Sequence, residues 1–371
     1  REFLDTISVY DETFKEYEYF YDAVASVDPD NIATTGSFGS SPGVLGRGGY
    51  KIGTFPGDII FSGLPVQQAY DWNELSSSKP MHNIALIDRL RSYDPDKPTW
   101  TIIDDFDLSV MERDSRQKAY ALALTRGIQA IGPNYIPNDI GGLARPETIA
   151  EQKELYDWIH KYGGTYSMAN PDAPIGIMYV TEQALSRNTM QDVTPPDGQL
   201  LKGSHEGKVT EALFFTHAAG YPSKVITPQE LKRRLPESMK TILLVGLRKV
   251  DDSWVWYEGL DDELQAFIDK GGRILLDYES ICPVSATETG IQSYSYVPQR
   301  NEDWTNELLA RNEENIAKLR DAMASTEKPA AFSASETVWA IPTMSGNTQY
   351  VTVVNQTRRA DQSSYRPDRF D

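Results

Sequence analysis

Residues 98–107 read Pro-Thr-Trp-Thr-Ile-Ile-Asp-Asp-Phe-Asp, an apolar and β-branched run of strand length that ends in three carboxylates, Asp104, Asp105 and Asp107. Acidic side chains at the carboxyl end of a buried parallel strand occupy the face where α/β barrels hold their catalytic groups. Crowding also moves the pKa values of carboxyl groups apart, as acid/base or nucleophilic work requires. A structural alternative is that Asp104 or Asp105 caps the helix that follows.

The composition favours a folded acidic protein with a neutral ligand. The chain has 371 residues, 40% of them hydrophobic, which suffices for two or three domains with real cores. Its net charge of −18 argues against a nucleic acid or an anionic membrane surface as the main partner. The single cysteine, Cys282, permits no intramolecular disulfide, and none of the four histidines has metal-ligand spacing with another. We therefore expect no metal and no cofactor, and the compartment stays open.

Residues 1–145 alternate between strand and helix patterns, as in a parallel α/β sheet. Because four strands cannot close an eight-stranded barrel, this block is predicted to be the second half of a (β/α)8 TIM barrel, with the first half missing or separate. The chain opens on Arg1 rather than Met, so we expect a processed or truncated product. Strands are predicted at 31–35, 58–62, 99–103 and 127–131, and helices at 11–27, 83–93 and 109–126.

Residues 146–300 form a second predicted α/β unit, in which a helix at 146–162 leads into a doubly wound sheet. Its helix at 260–270 ends in Lys270-Gly271-Gly272, a typical C-cap. The remaining strands are predicted at 175–180, 224–226, 241–245 and 273–277, and the helices at 205–219 and 228–235. Residues 301–371 are predicted as a linker helix at 302–325 and the start of a β-sandwich-like domain, with strands at 337–341 and 349–354.

Several short motifs, taken in order, resemble one enzyme family. Thr34-Thr35-Gly36-Ser37-Phe38-Gly39, then Asp58-Ile59-Ile60-Phe61-Ser62, then Lys97-Pro98 before the acidic strand end resemble the second barrel half of β-galactosidases of glycoside hydrolase family 42. The segment Phe3-Leu4…Tyr10 followed by Thr13 is similar to the stretch after that family's acid/base strand. The second α/β unit resembles the family's trimerisation domain, which is like a class I glutamine amidotransferase. The resemblance covers roughly residues 1 to 290.

The resemblance implies a retaining displacement on a β-linked galactoside or a related oligo- or polysaccharide. Asp104 or Asp105 falls near the position of the nucleophile, whereas the family has Glu there. Asp is shorter by about 1.5 Å, one carbon–carbon bond. The Asn of the family's Thr-Thr-Asn motif is replaced by Gly36 or Ser37, and the acid/base Glu is expected upstream of Arg1. The family also implies a homo-oligomer, a trimer.

Further residues are predicted to shape a sugar site. Tyr70 and Trp72 follow the strand 58–62, and Asn134 and Tyr135 follow the strand 127–131. Aromatic rings can stack on sugars, and βα loops at this face commonly hold substrate. For Trp72 the alternative is packing on its own helix. Trp100, inside a strand, is predicted to be part of the core.

The second unit shows no amidotransferase signature, because such an enzyme needs a Cys at a strand-to-helix elbow with a downstream His. Cys282 lies beyond the strand 273–277 with no His after it, and the strand 241–245 ends in Gly246-Leu247. The sequence therefore predicts a glycoside hydrolase in which Asp104 or Asp105 is catalytic. Asp107, Trp72 and Tyr135 are predicted to shape the sugar site of this chain. The alternative is a glycan-binding or structural relative that has lost the catalytic glutamate.

Overall fold

The computed structural model describes residues 15–16, 18–30, 34–38, 59–64, 80–104, 120–134, 146–167, 169–181, 183–184, 205–233, 235–247, 249–250, 253–254, 259–292, 302–325 and 338–355. Residues 15–16 and 18–27 are helical, within the helix predicted at 11–27. None of the helices in this part of the chain is long and apolar enough to cross a membrane.

The first sheet is parallel and follows the chain order, as the alternating pattern predicts. It contains β1 (Thr34–Phe38), β2 (Ile59–Leu64), β3 (Thr99–Asp104) and β4 (Ala130–Asn134). Each strand pairs in parallel with the next. All four carboxyl ends therefore lie along one edge of the sheet.

Helix α1 (Pro80–Tyr93) runs between β2 and β3 and is buried along most of its length. It contacts β2 of the first sheet and elements of the second α/β unit. The structure corrects one prediction in this region, because Trp100 is 39% exposed rather than part of the core. Side chains alternate along a strand, so Thr99 and Thr101 are buried on one face while Trp100 lies on the other.

The second sheet is also parallel and has five strands. Its strands are β6 (Ile175–Met178), β7 (Ser223–Ile226), β8 (Thr241–Leu244), β11 (Arg273–Leu276) and β12 (Thr287–Glu288). In space the order is β12-β11-β8-β6-β7. When the five strands are numbered 1 to 5 along the chain, this order reads 2-1-3-4-5 from the β7 edge, the arrangement of flavodoxin-like doubly wound folds.

Alternate side chains of these strands build a core on each face of the second sheet. Leu243 and Leu275 belong to one core, with residues of α3 (His205–Ala218) and α6 (Glu302–Met323). Ile242 and Ile274 belong to the other, with α4 (Pro228–Arg233) and α5 (Leu260–Asp269). Helix α5 ends as predicted, with Gly271 at φ 86° just after its C-cap Lys270. Helix α2 (Pro146–Tyr166) precedes the unit.

A third, antiparallel sheet joins the C-terminal hairpin to the same body. The order is β14-β13-β5, and the strands are β5 (Asn170–Pro171), β13 (Val338–Ser345) and β14 (Thr348–Asn355). Trp339, Ile341 and Val354 belong to the same core as Leu243. Sequence periodicity did not predict β5, β12 or the two-residue pair β9 (Lys249–Val250) and β10 (Ser253–Trp254), because such short strands carry no periodic signal.

Candidate functional site

The carboxyl edge of the first sheet brings two predicted site residues together. Asp104 is the last residue of β3 and Asn134 the last residue of β4. They are direct partners in the register of the two parallel strands. An Asp and an Asn are thus the last residues of neighbouring parallel strands, at the edge that corresponds to the substrate-binding face of α/β barrels.

The remaining predicted site residues are Asp105, Asp107, Tyr70, Trp72 and Tyr135, and they lie outside the described residues. For Asp104 and Asn134 the structure describes the backbone position. The assignment of catalytic and sugar-contacting roles to these seven residues therefore stays a prediction. The register supports it by placing Asp104 beside Asn134.

The opposite, amino end of this strand pair is fixed by side-chain hydrogen bonds. The amide of Gln129 donates to the carbonyl of Thr99 over 3.0 Å, and the Thr99 amide donates back to the Gln129 side chain. The same side chain donates to the carbonyl of Gly127 over 2.7 Å. Since Thr99 begins β3 and Gln129 precedes β4, these bonds set the register that places Asp104 beside Asn134.

The carboxyl edge of the second sheet carries a buried polar cluster of its own. One oxygen of Asp277 accepts the amide of Gly246 over 3.0 Å, and the other accepts the amides of Glu279 and Ser280. The Ser280 hydroxyl accepts the amide of Leu247 over 3.0 Å. Burial raises the pKa of Asp277, while Ser280 and the cation of Lys208 lower it. The four backbone N–H groups just named therefore donate to side chains of this chain, and an oxyanion of a ligand would have to displace those side chains to be bound by them.

A buried ion pair lies in the same cluster, between the Lys208 ammonium and the Glu279 carboxylate, with side chains 0% and 3% exposed. Nearby, Nε2 of His205 accepts the amide of Val180 over 3.0 Å. Cys282 is half-buried, and burial raises the pKa of its thiol. A raised pKa disfavours the nucleophilic thiolate, which agrees with the sequence-based view that Cys282 is no amidotransferase nucleophile.

Sequence reasoning missed a third polar cluster, which lies between α1 and β7. The carboxylate of Asp88 and the guanidinium of Arg126 are 3.6 Å apart, and both are buried. Lys224 and Glu230 form a second buried ion pair beside them. Burial raises the pKa of Asp88, while Arg126 and Lys224 lower it. The signal available in the sequence is the group of polar residues at 88, 89, 91 and 92, which directly follows the apolar stretch 84–87 of the same helix.

His217 lies next to this cluster and is held neutral. Its Nδ1 lies 2.9 Å from the carbonyl of Leu213, to which it donates, and 3.2 Å from the hydroxyl of Ser223. Burial, reinforced by the charge of Arg126, lowers the pKa of His217 to about 3. A neutral ring carries no positive charge that the Arg126 guanidinium would repel. Among the described residues, no group of three His, Cys, Asp or Glu side chains could hold a metal ion.

Comparison with known proteins identifies the fold. No family model and no curated protein matches the sequence. Solved structures do, including a β-galactosidase from Bacillus circulans sp. alkalophilus (12% identity, TM-score 0.53), the GH42 β-galactosidase Gan42B (15%, 0.53) and a β-galactosidase from the haloarchaeon Halorubrum lacusprofundi (14%, 0.50). The matches cover 73%, 82% and 93% of this chain.

The same matches cover 39%, 44% and 49% of the chains they match, so this chain spans less than half the length of these β-galactosidases. At such identities the likeness establishes the fold alone. At that level the resemblance to GH42-type β-galactosidases is confirmed.

Proposed function

We propose that the protein is a glycoside hydrolase that acts on a β-linked galactoside or a related oligo- or polysaccharide. The observation that carries the proposal is the placement of Asp104 beside Asn134 at the carboxyl edge of a parallel sheet, in a fold shared with β-galactosidases. The net charge of −18 suits a neutral sugar better than a polyanion.

The proposed chemistry is a retaining double displacement. The carboxylate of Asp104 or Asp105 attacks the anomeric carbon and forms a glycosyl ester as the glycosidic oxygen leaves. A second carboxylic acid protonates that oxygen and then, as a carboxylate, takes a proton from the water that cleaves the ester. Retaining enzymes hold the two carboxyl groups about 5 Å apart. The second group is assigned to no residue of this chain.

The other predicted residues would bind and orient the sugar. The amide of Asn134, one strand away from Asp104, can hydrogen-bond a sugar hydroxyl near the reacting carbon. Tyr70, Trp72 and Tyr135 would supply aromatic faces, and Asp107 a hydroxyl acceptor. Such contacts would hold the sugar in a near-attack geometry, with the anomeric carbon close to the attacking carboxylate.

The proposal includes a finer architecture. The four-stranded sheet would be the second half of a (β/α)8 barrel. The flavodoxin-like unit would correspond to the amidotransferase-like trimerisation domain of the resembling family, and the assembled protein would be a homotrimer. Sedimentation velocity measures the last point, since a trimer and a monomer differ threefold in mass.

Hydrolysis of an aryl β-galactoside by the full-length protein tests the function. Asp104→Asn and Asp105→Asn keep the size of each side chain and remove the nucleophilic charge. We expect one of the two to lower kcat by about 1,000-fold or more, within the range that catalytic groups contribute. Asp96→Asn is the matched control, because Asp96 is exposed in the turn before β3, at the other end of the same strand. Wild-type turnover in both Asn variants would remove the assignment.

A second candidate is a glycan-binding relative without catalysis. It is favoured by one point of the resemblance: Asp104 or Asp105 falls near the position where the family has the longer Glu. Titration calorimetry and a product assay on the same sample separate the hydrolase from the binding protein. A binding protein binds galactosides with measurable heat but releases no product.

A further inference from the structure

Side chains of the first α/β block close the outer edge of the second sheet. β7 is the edge strand of that sheet, and its inner side pairs with β6. On the outer side, the carboxylate of Asp88 accepts the amide of Val225 over 3.0 Å, and the hydroxyl of Ser92 accepts the amide of Thr227 over 2.8 Å. An edge strand that would otherwise present unpaired N–H groups is thus satisfied by a helix.

A third bond completes the edge. Nη2 of Arg126 donates to the carbonyl of Ser223 over 3.2 Å, and the same guanidinium is paired with Asp88. The three bonded strand residues alternate along β7 and its extension, as outward-facing backbone groups do. Asp88 and Ser92 are four residues apart and therefore lie on one face of α1.

The same residues lead directly into the candidate catalytic strands. Helix α1 ends at Tyr93, six residues before Thr99 at the start of β3, and Arg126 lies four residues before Ala130 at the start of β4. Nη1 of Arg91 donates to the carbonyl of Arg126 and, over 3.0 Å, to that of Ala169. The amino ends of both strands are therefore tied to the second unit through one network.

Apolar contacts reinforce the connection. Met81, Ile84 and Ala85 of α1 belong to the same hydrophobic core as Leu243 and Trp339. The first block and the second unit therefore share α1 as a structural element.

We propose that α1 anchors the β3–β4 strand pair on the edge of the second sheet, with Asp88, Ser92 and Arg126 as positioning residues for the acids that follow Ile103. The catalytic part of this inference rests on the proposed function, and the anchoring part does not.

β3 has six residues. At ~3.4 Å per residue its ends are ~17 Å apart, so a tilt of about 3° moves the carboxyl end by about 1 Å. A displacement of this size can cost about 100-fold in rate.

Single-amide hydrogen exchange tests the anchor in the intact protein. In Ser92→Ala we expect the Thr227 amide to exchange at least about tenfold faster while Val225 keeps its protection. In Asp88→Ala we expect the reverse. Asp88→Asn retains an acceptor oxygen, so Val225 regains its protection although the charge opposite Arg126 is lost.

Thr125→Val is the matched control, because the buried hydroxyl of Thr125 bonds within its own helical turn, to the carbonyl of Leu122. It should change neither amide. The anchor is overturned if Val225 and Thr227 stay protected in all variants. It is equally overturned if both accelerate by the factor seen for every amide of β6 and β8, because that pattern reports global destabilisation.

Steady-state kinetics with an aryl β-galactoside tests the positioning role. In Ser92→Ala and Asp88→Ala we expect kcat to fall about 10- to 100-fold with KM within twofold of wild type, and Asp88→Asn to recover part of the loss. An unchanged kcat together with the altered exchange pattern overturns positioning. Absence of turnover in the wild-type protein overturns the proposed function instead, and the exchange result stands by itself.

Discussion

The indole of Trp339 on β13 packs against the ring of Phe214 on α3, with ring centroids 6.0 Å apart. The same indole lies 5.7 Å from the ring of His217. Trp339 is 1% exposed, although its strand belongs to a C-terminal hairpin that the sequence suggests is the start of a separate domain. This contact makes the hairpin part of the central core.

Replacement of Trp339 by Ala should therefore unfold the whole protein more easily, not the hairpin alone. We expect a loss of about 3–5 kcal/mol in the free energy of unfolding, the usual cost of truncating a buried large aromatic residue. Urea denaturation followed by far-UV circular dichroism measures it. Val353→Ala on the same hairpin is the control, since Val353 is 66% exposed and should change stability by less than about 0.5 kcal/mol. Equal effects of the two substitutions would contradict the shared core.

Because Lys208 and Glu279 form a buried ion pair, we expect the effects of substituting them on the free energy of unfolding to be strongly non-additive. Lys208→Met should cost about 3–5 kcal/mol, because it leaves the Glu279 carboxylate buried without its cation. Adding Glu279→Leu to that variant should recover most of the loss. A double-mutant cycle on denaturation midpoints measures the coupling, and strictly additive effects would argue against a buried pair. The exposed pair of Lys153 and Asp157 on α2 is the control, and Lys153→Met should have almost no effect.

Because folding lowers the pKa of His217, we expect the free energy of unfolding to fall in acid. A histidine whose pKa is lowered by folding contributes stability that is present above its unfolded pKa of about 6.5 and is lost as the pH falls toward the folded value of about 3. Over that window the loss from this residue can reach about 5 kcal/mol. His217→Asn keeps a donor near the Leu213 carbonyl but does not titrate. Its unfolding free energy should vary less between pH 6.5 and pH 3 than that of the wild type, and parallel curves would refute the assignment.

The position of Gly127 is expected to tolerate no side chain. Its φ is 72°, and a Cβ atom there would lie 1.9 Å from the carbonyl oxygen of Ala169. Gly127→Ala should therefore cost roughly 3 kcal/mol or more, the strain of positive φ plus a backbone clash. Gly271→Ala, at φ 86° with open space around it, should cost only about 1 kcal/mol. Thermal denaturation of the two variants compares them, and similar midpoints would contradict the steric argument.

Much of the fold follows from local patterns in the sequence. The runs Thr241–Leu244 and Arg273–Leu276 are short, apolar and bounded by turn residues, and both are buried parallel strands. The predicted helix 146–162 extends instead to Tyr166, through Gly163 and Gly164. Tertiary contacts explain the extension, because the Tyr166 hydroxyl lies 3.2 Å from that of Thr352 and holds the last turn in place.

The network around Asp88 could not be predicted in the same way. A run of charged residues on a helix normally faces solvent, but here it meets backbone groups 135 and 137 positions away along the chain. No local pattern specifies which edge strand a helix will cover. For the candidate site, strand order and parallel pairing bring the carboxyl ends of β3 and β4 to one edge of the sheet. The register that pairs Asp104 with Asn134 depends in addition on the hydrogen bonds of Gln129, which no periodic pattern predicts.

Covalent trapping of the nucleophile tests the proposed role of Asp104 and Asp105. A 2-deoxy-2-fluoro-β-galactoside with a good leaving group forms the glycosyl ester and slows its hydrolysis, so mass spectrometry of a digest can locate the sugar. We expect one fluorogalactosyl group on the peptide that contains Asp104 and Asp105. A sugar attached to a carboxylate elsewhere, with this peptide unmodified, would contradict it.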